Sequence, residues 1–210
     1  MLWALVPLKQ LALSKQRLEK VLEPTERQGL TLAMARDVLT VLQQHAAIDG
    51  VLLVSRTPEA QQLAADCEVE LFAESADADL SQALTEASRF VVDERGAIST
   101  LVVPSDVPLI RDDDINAVLD HHDGVTLVPD NCEEGTNALL MSPPNLISYV
   151  FGEDSFRHHR ESSRAAGVSP IIVRNKRLGQ DIDVPDDLNT LLGDLPQSAT
   201  RDYLRNSGLA

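Results

Sequence analysis

The chain has 210 residues, and its hydrophobic fraction of 43% is ample for the core of one α/β domain, although only 3% of it is aromatic. Its 33 acidic residues outnumber its 18 basic residues and give a formal net charge of −15. This balance argues against a surface that binds nucleic acid, because such a surface normally presents a basic face to the phosphates. An acidic protein can still bind a single nucleotide where metal ions neutralise the repulsion locally.

Neither a targeting segment nor a membrane segment is expected. The stretch MLWALVPLKQ has too short an apolar run for a signal peptide, and no basic residues precede it. No run approaches the ~20 apolar residues that span a bilayer. Cys67 and Cys132 lie far apart without CxxC spacing, which predicts free thiols rather than a zinc site or a redox pair. We therefore expect a cytoplasmic protein without a membrane partner.

Apolar runs typical of buried strands alternate with helical patterns along the chain. The predicted strands are 2–8, 50–55, 69–73, 99–105, 124–129, 137–142 and 169–174. The predicted helices are 25–45, 58–65, 80–92, 112–121, 154–166 and 186–192. Continuous Val/Leu strands that alternate with helices predict one doubly wound, mostly parallel sheet. We expect residues 1–195 to form this domain and 196–210, which begin with Pro196, to form a tail or a short helix.

Ligands of open α/β sheets bind outside the carboxyl ends of the strands, so those loops carry the candidate chemistry. The loop after the first strand holds Lys9, Lys15 and Arg17, a local exception in an acidic chain. It suits a loop that wraps the phosphates of a nucleotide, or else an ordinary solvated loop. It has no GxxxxGK[ST] pattern and is therefore not a P-loop.

Carboxylates follow two of the other predicted strands. Asp106 lies between Pro104 and Pro108, where it could bind Mg²⁺ or act as a turn or cap residue. Asp181 and Asp183 follow the last strand at i, i+2 spacing, which places both on one side of an extended segment. Such a pair of like charges is unfavourable without a counterion, which favours a divalent cation. The neighbouring acids, 112–114 and 186–187, are interpreted as first-turn charges of helices.

Two further loops could receive an anion. Residues 135–137 enter a strand and could offer backbone N–H groups and a hydroxyl. Gly152 and Ser155 stand where a helix is predicted to begin, which favours an oxyanion site or a plain helix cap. The histidines are interpreted without a metal role, with His158 and His159 on a solvated helix face; the others considered are His45, His121 and His122.

The order of PLK…SKxRL, PSDVP, EGTNALL, FGxxSF and DIDVPDDL resembles the CofC/FbiD family, the guanylyltransferases of coenzyme F-420 biosynthesis. The resemblance covers about residues 1–192 and implies a nucleotidyltransferase fold related to sugar-phosphate nucleotidyltransferases. It implies transfer of GMP from GTP to a three-carbon phosphorylated acid with release of pyrophosphate. The acceptors known in the family are 2-phospho-L-lactate, phosphoenolpyruvate and 3-phospho-D-glycerate.

The resemblance also implies roles for individual residues. The matching metal ligands are Asp106, Asp181 and Asp183, which together with Lys15 form the implied catalytic set around Mg²⁺, expected as two ions. The matching phosphoacid ligands are Thr136, Gly152 and Ser155, and the matching residues near the GTP phosphates are Lys9, Lys15 and Arg17.

One element departs from the family pattern. Where the family usually has Gly-Leu-Asn-x-Ala-Leu on the nucleotide side of the cleft, this chain has Asp79-Leu80-Ser81-Gln82-Ala83-Leu84. This departure keeps a catalytically inert nucleotide-binding module as one alternative. The alternatives among enzymes are a nucleotidyltransferase for a sugar phosphate or a molybdenum-cofactor precursor and a glycosyltransferase. We expect a monomer or homodimer, and handover of a labile product to the next transferase of the pathway.

Overall fold

The computed structural model describes residues 1–9, 11, 15–194 and 196–208. Its strands are β1 Leu2–Pro7, β2 Gly50–Val54, β3 Glu70–Phe72, β4 Ser99–Val102, β5 Val125–Pro129, β6 Thr136–Met141 and β7 Ile171–Ile172. Its α-helices are α1 Pro24–Gln44, α2 Pro58–Asp66, α3 Leu80–Arg95, α4 Asp112–Leu119, α5 Ser155–Ala165, α6 Pro185–Asp194 and α7 Ala199–Asn206, and a 3₁₀ helix spans Gln16–Leu18. Each predicted strand and helix is present, with shifts at the ends.

The strands form one seven-stranded sheet in the order β3-β2-β1-β4-β6-β5-β7. The pairs β1–β2, β1–β4, β2–β3 and β5–β7 are parallel, whereas β6 runs antiparallel to both β4 and β5. The mostly parallel α/β sheet is confirmed. The antiparallel β6 follows from the short loop that joins it to β5, since a parallel connection requires a longer crossover.

Side chains of β1 alternate between two apolar layers, as the pleat of a strand requires. Ala4 and Val6 belong to the layer that contains α1, α2 and α4, whereas Trp3 and Leu5 belong to the layer that contains α3 and α5. The two layers cover opposite faces of the sheet, which is the doubly wound arrangement. This packing fixes the carboxyl ends of the central strands at one edge.

A third apolar cluster joins the ends of the chain. Leu30 and Met34 of α1 pack with Ile182 and with Leu204 of α7. Helix α7 is further held by Asp37, whose carboxylate accepts hydrogen bonds from the first two backbone N–H groups of that helix at 2.8 and 2.9 Å. Residues 199–206 are thus a packed helix, and the domain boundary at 195 stays a prediction. Among the described helices none has the length and apolarity needed to cross a bilayer.

Candidate active site

Three carboxylates from distant parts of the sequence meet beyond the carboxyl ends of β4 and β7. One oxygen atom each of Asp106, Asp181 and Asp183 lies within 4.8 Å of the others. Ile182, between the last two, is fully buried in the third apolar cluster, so the flanking carboxylates are directed away from it. The Ile182 N–H donates to the Asp106 carbonyl oxygen at 3.1 Å and ties the two segments together. The structure thus brings together the carboxylates whose spacing predicted a shared cation.

Lys15 lies inside this cluster. Its Nζ donates to Asp106 Oδ2 at 2.5 Å and to Asp183 Oδ1 at 2.7 Å, and its side chain is 5% exposed. Burial would lower the pKa of Lys15, but the two carboxylates outweigh burial and raise it. The ammonium is therefore charged at neutral pH and neutralises part of the cluster.

The carboxylates of Asp181 and Asp183 have opposite pKa shifts. Burial, with the nearby charge of Asp106, raises the pKa of Asp181. Burial acts in the same direction on Asp183, but the charge and hydrogen bond of Lys15, with smaller effects of Arg17 and Lys9, hold its pKa below the usual value. A divalent cation placed between these groups would relieve the repulsion that raises the pKa of Asp181.

The backbone around Asp183 is fixed by Asp187. The Asp187 carboxylate accepts hydrogen bonds from the N–H groups of Asp183 and Val184, both at 2.8 Å. This bond caps the start of α6 and also orients the segment that carries Asp183. The first-turn interpretation of Asp187 is confirmed, and the structure adds a second role.

Asp114 has a second role besides that of a first-turn charge of α4. It lies in the first turn of α4 after the exposed Asp112 and Asp113, but it is fully buried. Its carboxylate forms a two-pronged ion pair with the Arg177 guanidinium at 2.5 and 2.8 Å and accepts from Asn175 Nδ2 at 2.6 Å. The first-turn interpretation of Asp114 is confirmed, and its carboxylate also accepts from the Arg111 N–H at 2.9 Å. Its burial and its ion pair were not predicted, because the sequence alone does not show that the segment after β7 folds over α4.

The remaining basic residues of the first loop border the cluster. Lys9 and Arg17 are both exposed, and their charges contribute to the lowered pKa of Asp183. Residues 10 and 12–14 of this loop lie outside the described part of the chain. The structure therefore places Lys15 in the cluster and Lys9 and Arg17 around it.

A cleft leads away from the carboxylates. A cavity of about 220 Å³ is lined by Lys15, Asp106 and Asp183, and it shares Lys9 and Leu80 with a neighbouring cavity of about 370 Å³. The second cavity lies between the end of β1 and the start of α3. It is also lined by Glu74, whose Oε2 is buried and has no hydrogen-bond partner in the described part of the chain.

Asp79 and Ser81, where the chain departs from the family pattern, have local roles at the start of α3. Asp79 is the N-cap and accepts from the Gln82 N–H at 2.8 Å, while Gln82 Oε1 accepts from the Asp79 N–H. Ser81 Oγ accepts from the Phe151 N–H at 3.0 Å. The altered residues thus cap the helix and connect it to the loop that carries Gly152.

Thr136 and Ser155 form a second polar group. Thr136 begins β6 and Ser155 begins α5, and Ser155 Oγ accepts from the Thr136 N–H at 2.9 Å. The Asp130 carboxylate accepts from the N–H of Gly135 at 2.7 Å. The N–H groups of residues 135 and 136, which the sequence suggested for an anion, are therefore already engaged, and the two hydroxyl groups are the candidate donors.

Gly152 lies in the loop that leads into α5. Its φ of 129° is a conformation that residues with a side chain rarely adopt, while a Cβ there would meet nothing within 4 Å. The backbone conformation, and not the available space, accounts for glycine at this position.

Asn137 and His159 connect these groups through side-chain contacts that the sequence analysis did not predict. Asn137 Nδ2 donates to Asp181 Oδ1 at 3.1 Å and to the Leu178 carbonyl at 3.0 Å, so β6 contacts the carboxylate cluster directly. His159 is fully buried and hydrogen-bonded to Thr136, so its assignment to a solvated helix face was wrong. Its i, i+4 spacing from Ser155 was the available signal, because such residues share a helix face.

The sheet, the helices on both faces and the position of the carboxylates at the strand ends define the fold of the nucleotidyltransferases. A solved structure from Desulfovibrio desulfuricans G20, assigned to the nucleotide-diphospho-sugar transferases, superimposes with a TM-score of 0.80 at 18% identity and covers 99% of this chain and 95% of that one. This likeness concerns the fold.

The family model described as "Guanylyl transferase CofC like" matches residues 2–210. A phosphoenolpyruvate guanylyltransferase of Sphaerobacter thermophilus is 37% identical over 204 residues, which is 95% of this chain and 96% of that protein. A 2-phospho-L-lactate guanylyltransferase of Methanothermobacter thermautotrophicus is 32% identical over 204 residues, which is 96% of this chain and 89% of that protein. The chain belongs to the CofC-like guanylyltransferase family and is a nucleotidyltransferase.

Proposed function

We propose that this protein transfers GMP from GTP to a three-carbon phosphorylated acid, with release of pyrophosphate, in coenzyme F-420 biosynthesis. The observation that carries the proposal is the cluster of Asp106, Asp181 and Asp183 at one end of a cleft, with Lys15 bonded to Asp106 and Asp183. The named activities of the two relatives support phosphoenolpyruvate and 2-phospho-L-lactate as acceptors. The resemblance adds 3-phospho-D-glycerate.

The donor set suits Mg²⁺. Three carboxylate oxygen atoms within 4.8 Å of one another are hard ligands, which Mg²⁺ prefers, and they leave coordination positions for phosphate oxygens. We assign Asp106, Asp181 and Asp183 as the ligands of two Mg²⁺ ions. When bound, the ions would neutralise phosphate charge and hold the reacting oxygens.

The side chains themselves bind and orient the substrates. Lys15 would share its ammonium between the carboxylates and the phosphates of GTP, while Lys9 and Arg17 attract the triphosphate from the rim of the cleft. The acceptor phosphate is anionic at neutral pH, so its oxygen attacks the α-phosphorus in line without a general base. Thr136, Gly152 and Ser155 would hold the acceptor so that this oxygen faces the α-phosphorus.

The 370 Å³ cavity is our candidate for the base, because it continues from the carboxylate end of the cleft past Lys9 and Leu80. The buried Glu74 Oε2 supports guanine there. A guanine presents two neighbouring donors, N1–H and the 2-amino group, to which a carboxylate can accept both bonds, whereas adenine presents an acceptor at N1. A buried polar atom without a partner commonly indicates a ligand group that completes its hydrogen bonding.

One assay tests the function. Purified protein with Mg²⁺ is given each nucleoside triphosphate and each phosphoacid in turn, and pyrophosphate is measured. GTP-specific release that requires one phosphoacid supports the proposal. Release that requires a sugar phosphate or a molybdenum-cofactor precursor supports the first alternative, and nucleotide binding without release supports the inert module.

The product of this reaction is a labile diphosphate, so we propose that it is handed to the next transferase of the pathway. Product decay measured with and without that transferase tests the handover. The expected state is a monomer or a homodimer, and light scattering at several protein concentrations distinguishes the two.

A further inference from the structure

His159 connects the start of α5 with the start of β6 through two hydrogen bonds. It lies one helical turn after Ser155 and is fully buried. Its Nδ1 is 2.9 Å from Thr136 Oγ1, and its Nε2 is 3.0 Å from the Val150 backbone nitrogen. The Phe151 ring packs against the imidazole in a T-shaped arrangement at a centroid distance of 5.0 Å. The ring is thus fixed in position and rotation.

The Val150 contact determines where the imidazole proton lies. A backbone N–H can only donate, so His159 Nε2 must accept and must carry no proton. The proton of the neutral ring then lies on Nδ1, which donates to Thr136 Oγ1. Burial, with the adjacent charge of His158, lowers the pKa of His159 to about 4, so the ring is neutral at pH 7.

This tautomer determines the direction of the Thr136 hydroxyl. Because Thr136 Oγ1 accepts from His159, its own hydrogen must point elsewhere. Ser155 Oγ is in the same situation, since it accepts from the Thr136 N–H. In the part of the chain that the structure describes, neither hydroxyl hydrogen has an acceptor. Each hydroxyl thus keeps a donor hydrogen for a further partner, which suits an oxyanion.

We propose that His159 is a positioning residue: its Nδ1–H holds the Thr136 hydroxyl as a donor to an oxyanion of the acceptor acid, its carboxylate or its phosphate. The inference rests on the proposed function, because that function places the phosphoacid at Thr136 and Ser155. The roles proposed for the first-loop residues and for the metal ligands do not depend on this role of His159. A histidine that merely filled the core would have no effect on the affinity for one substrate over the other.

The decisive comparison is between His159→Asn and His159→Leu. The Asn side-chain N–H₂ can replace the Nδ1–H donor, whereas Leu removes it at similar bulk. We expect His159→Leu to raise the KM for the phosphoacid about 10-fold or more, because the Thr136 hydroxyl would no longer be held as a donor to the charged acceptor. The KM for GTP should stay within about twofold, and His159→Asn should recover most of the loss.

A double variant tests whether His159 acts through Thr136. Thr136→Val should raise the KM for the phosphoacid, and adding His159→Leu to it should have little further effect.

A second measurement is independent of turnover and uses the wild-type fold. In ¹⁵N-histidine-labelled protein at pH 7, His159 should show a protonated Nδ1 and an unprotonated Nε2, with the signal assigned by its loss in His159→Asn. An Nε2–H tautomer or an imidazolium would overturn the inference even if His159→Leu does not fold. So would an unchanged phosphoacid KM in a folded, active His159→Leu. Absence of any phosphoacid-dependent pyrophosphate release by the wild-type protein would instead overturn the proposed function, and the acceptor role of Thr136 with it.

Discussion

The ammonium of Lys15 lies 2.7 Å from Asp183 Oδ1 and also bonds Asp106, so a residue of the first loop neutralises carboxylates from two later strand ends. A buried cation between acids holds the cluster together in a chain of net charge −15. The arrangement also places the Lys15 ammonium at the cavity in which we propose that the phosphates of GTP bind.

Replacing Lys15 tests both roles. Lys15→Met should lower turnover by about 100-fold or more, because a preorganised charge next to the reacting phosphates is lost. It should also lower the free energy of unfolding in metal-free buffer by about 2 kcal/mol, since Asp106 and Asp183 lose their counterion. Added Mg²⁺ should recover more stability in the variant than in the wild-type protein. Lys20→Met, at an exposed position of the same region, is the matched control. Equal activity of the two variants would contradict the assignment.

Asp183 is the most direct test of the metal site. Asp183→Asn removes one charged ligand but keeps its shape, so the fold should persist while Mg²⁺-dependent pyrophosphate release falls by roughly 100-fold or more. Asp113→Asn, which changes an exposed acid at the start of α4, should leave release unchanged. Near-normal release by a folded Asp183→Asn protein would remove Asp183 from the ligand set.

The ion pair of Asp114 and Arg177 should matter for stability. Arg177→Met leaves the fully buried Asp114 carboxylate without its two-pronged partner and should lower the free energy of unfolding by about 2 kcal/mol. The loss is limited because Asn175 still donates to that carboxylate. Arg174→Met breaks an ion pair to Glu133 in the same segment, where both side chains are exposed, and should have little effect. Urea unfolding at pH 7.5 compares the two, and equal losses would refute the importance of burial here.

His159 should make stability depend on pH. Its pKa falls from the usual 6.5 in the unfolded chain to about 4 in the folded protein, so the unfolded state binds the extra proton first as the pH drops. The contribution of the neutral imidazole to the free energy of unfolding is fully present above pH 6.5 and is lost between pH 6.5 and 4. It amounts to roughly 3 kcal/mol. The His159→Asn protein lacks this group, so its free energy of unfolding should fall less between pH 7.5 and 4.5. Parallel pH curves for the two proteins would show that the imidazole protonates freely in the fold.

Glu74 should determine the choice of base. Glu74→Gln keeps one acceptor but loses the second and the charge, so the ratio of kcat/KM for GTP over ATP should fall at least about 10-fold. The KM for the phosphoacid should not change, because the cavity that we propose for the base lies away from the carboxylate cluster. Glu59→Gln, an exposed change on α2, serves as the control. An unchanged GTP preference in the Glu74→Gln protein would place the guanine contacts elsewhere.

Local patterns were sufficient for much of this protein. The Val/Leu runs predicted each strand because buried parallel strands need continuous apolar residues, and the i, i+2 spacing of Asp181 and Asp183 predicted two carboxylates on one side of a chain segment. The motif order also identified the family. These features depend on residues that are neighbours along the chain.

Contacts between distant segments required the tertiary structure. Asp114 resembled an ordinary first-turn acid until the segment after β7 brought Arg177 and Asn175 against it. His159 resembled a surface residue until α5 packed it against Thr136 and Val150. Lys15 resembled one of three loop cations, and only folding placed it between Asp106 and Asp183. The sequence by itself determined the sheet and the candidate carboxylates. Only the tertiary structure decided which charges and hydrogen-bond donors surround those carboxylates, because the burial and the partners of a charged group depend on the packing of the whole sheet.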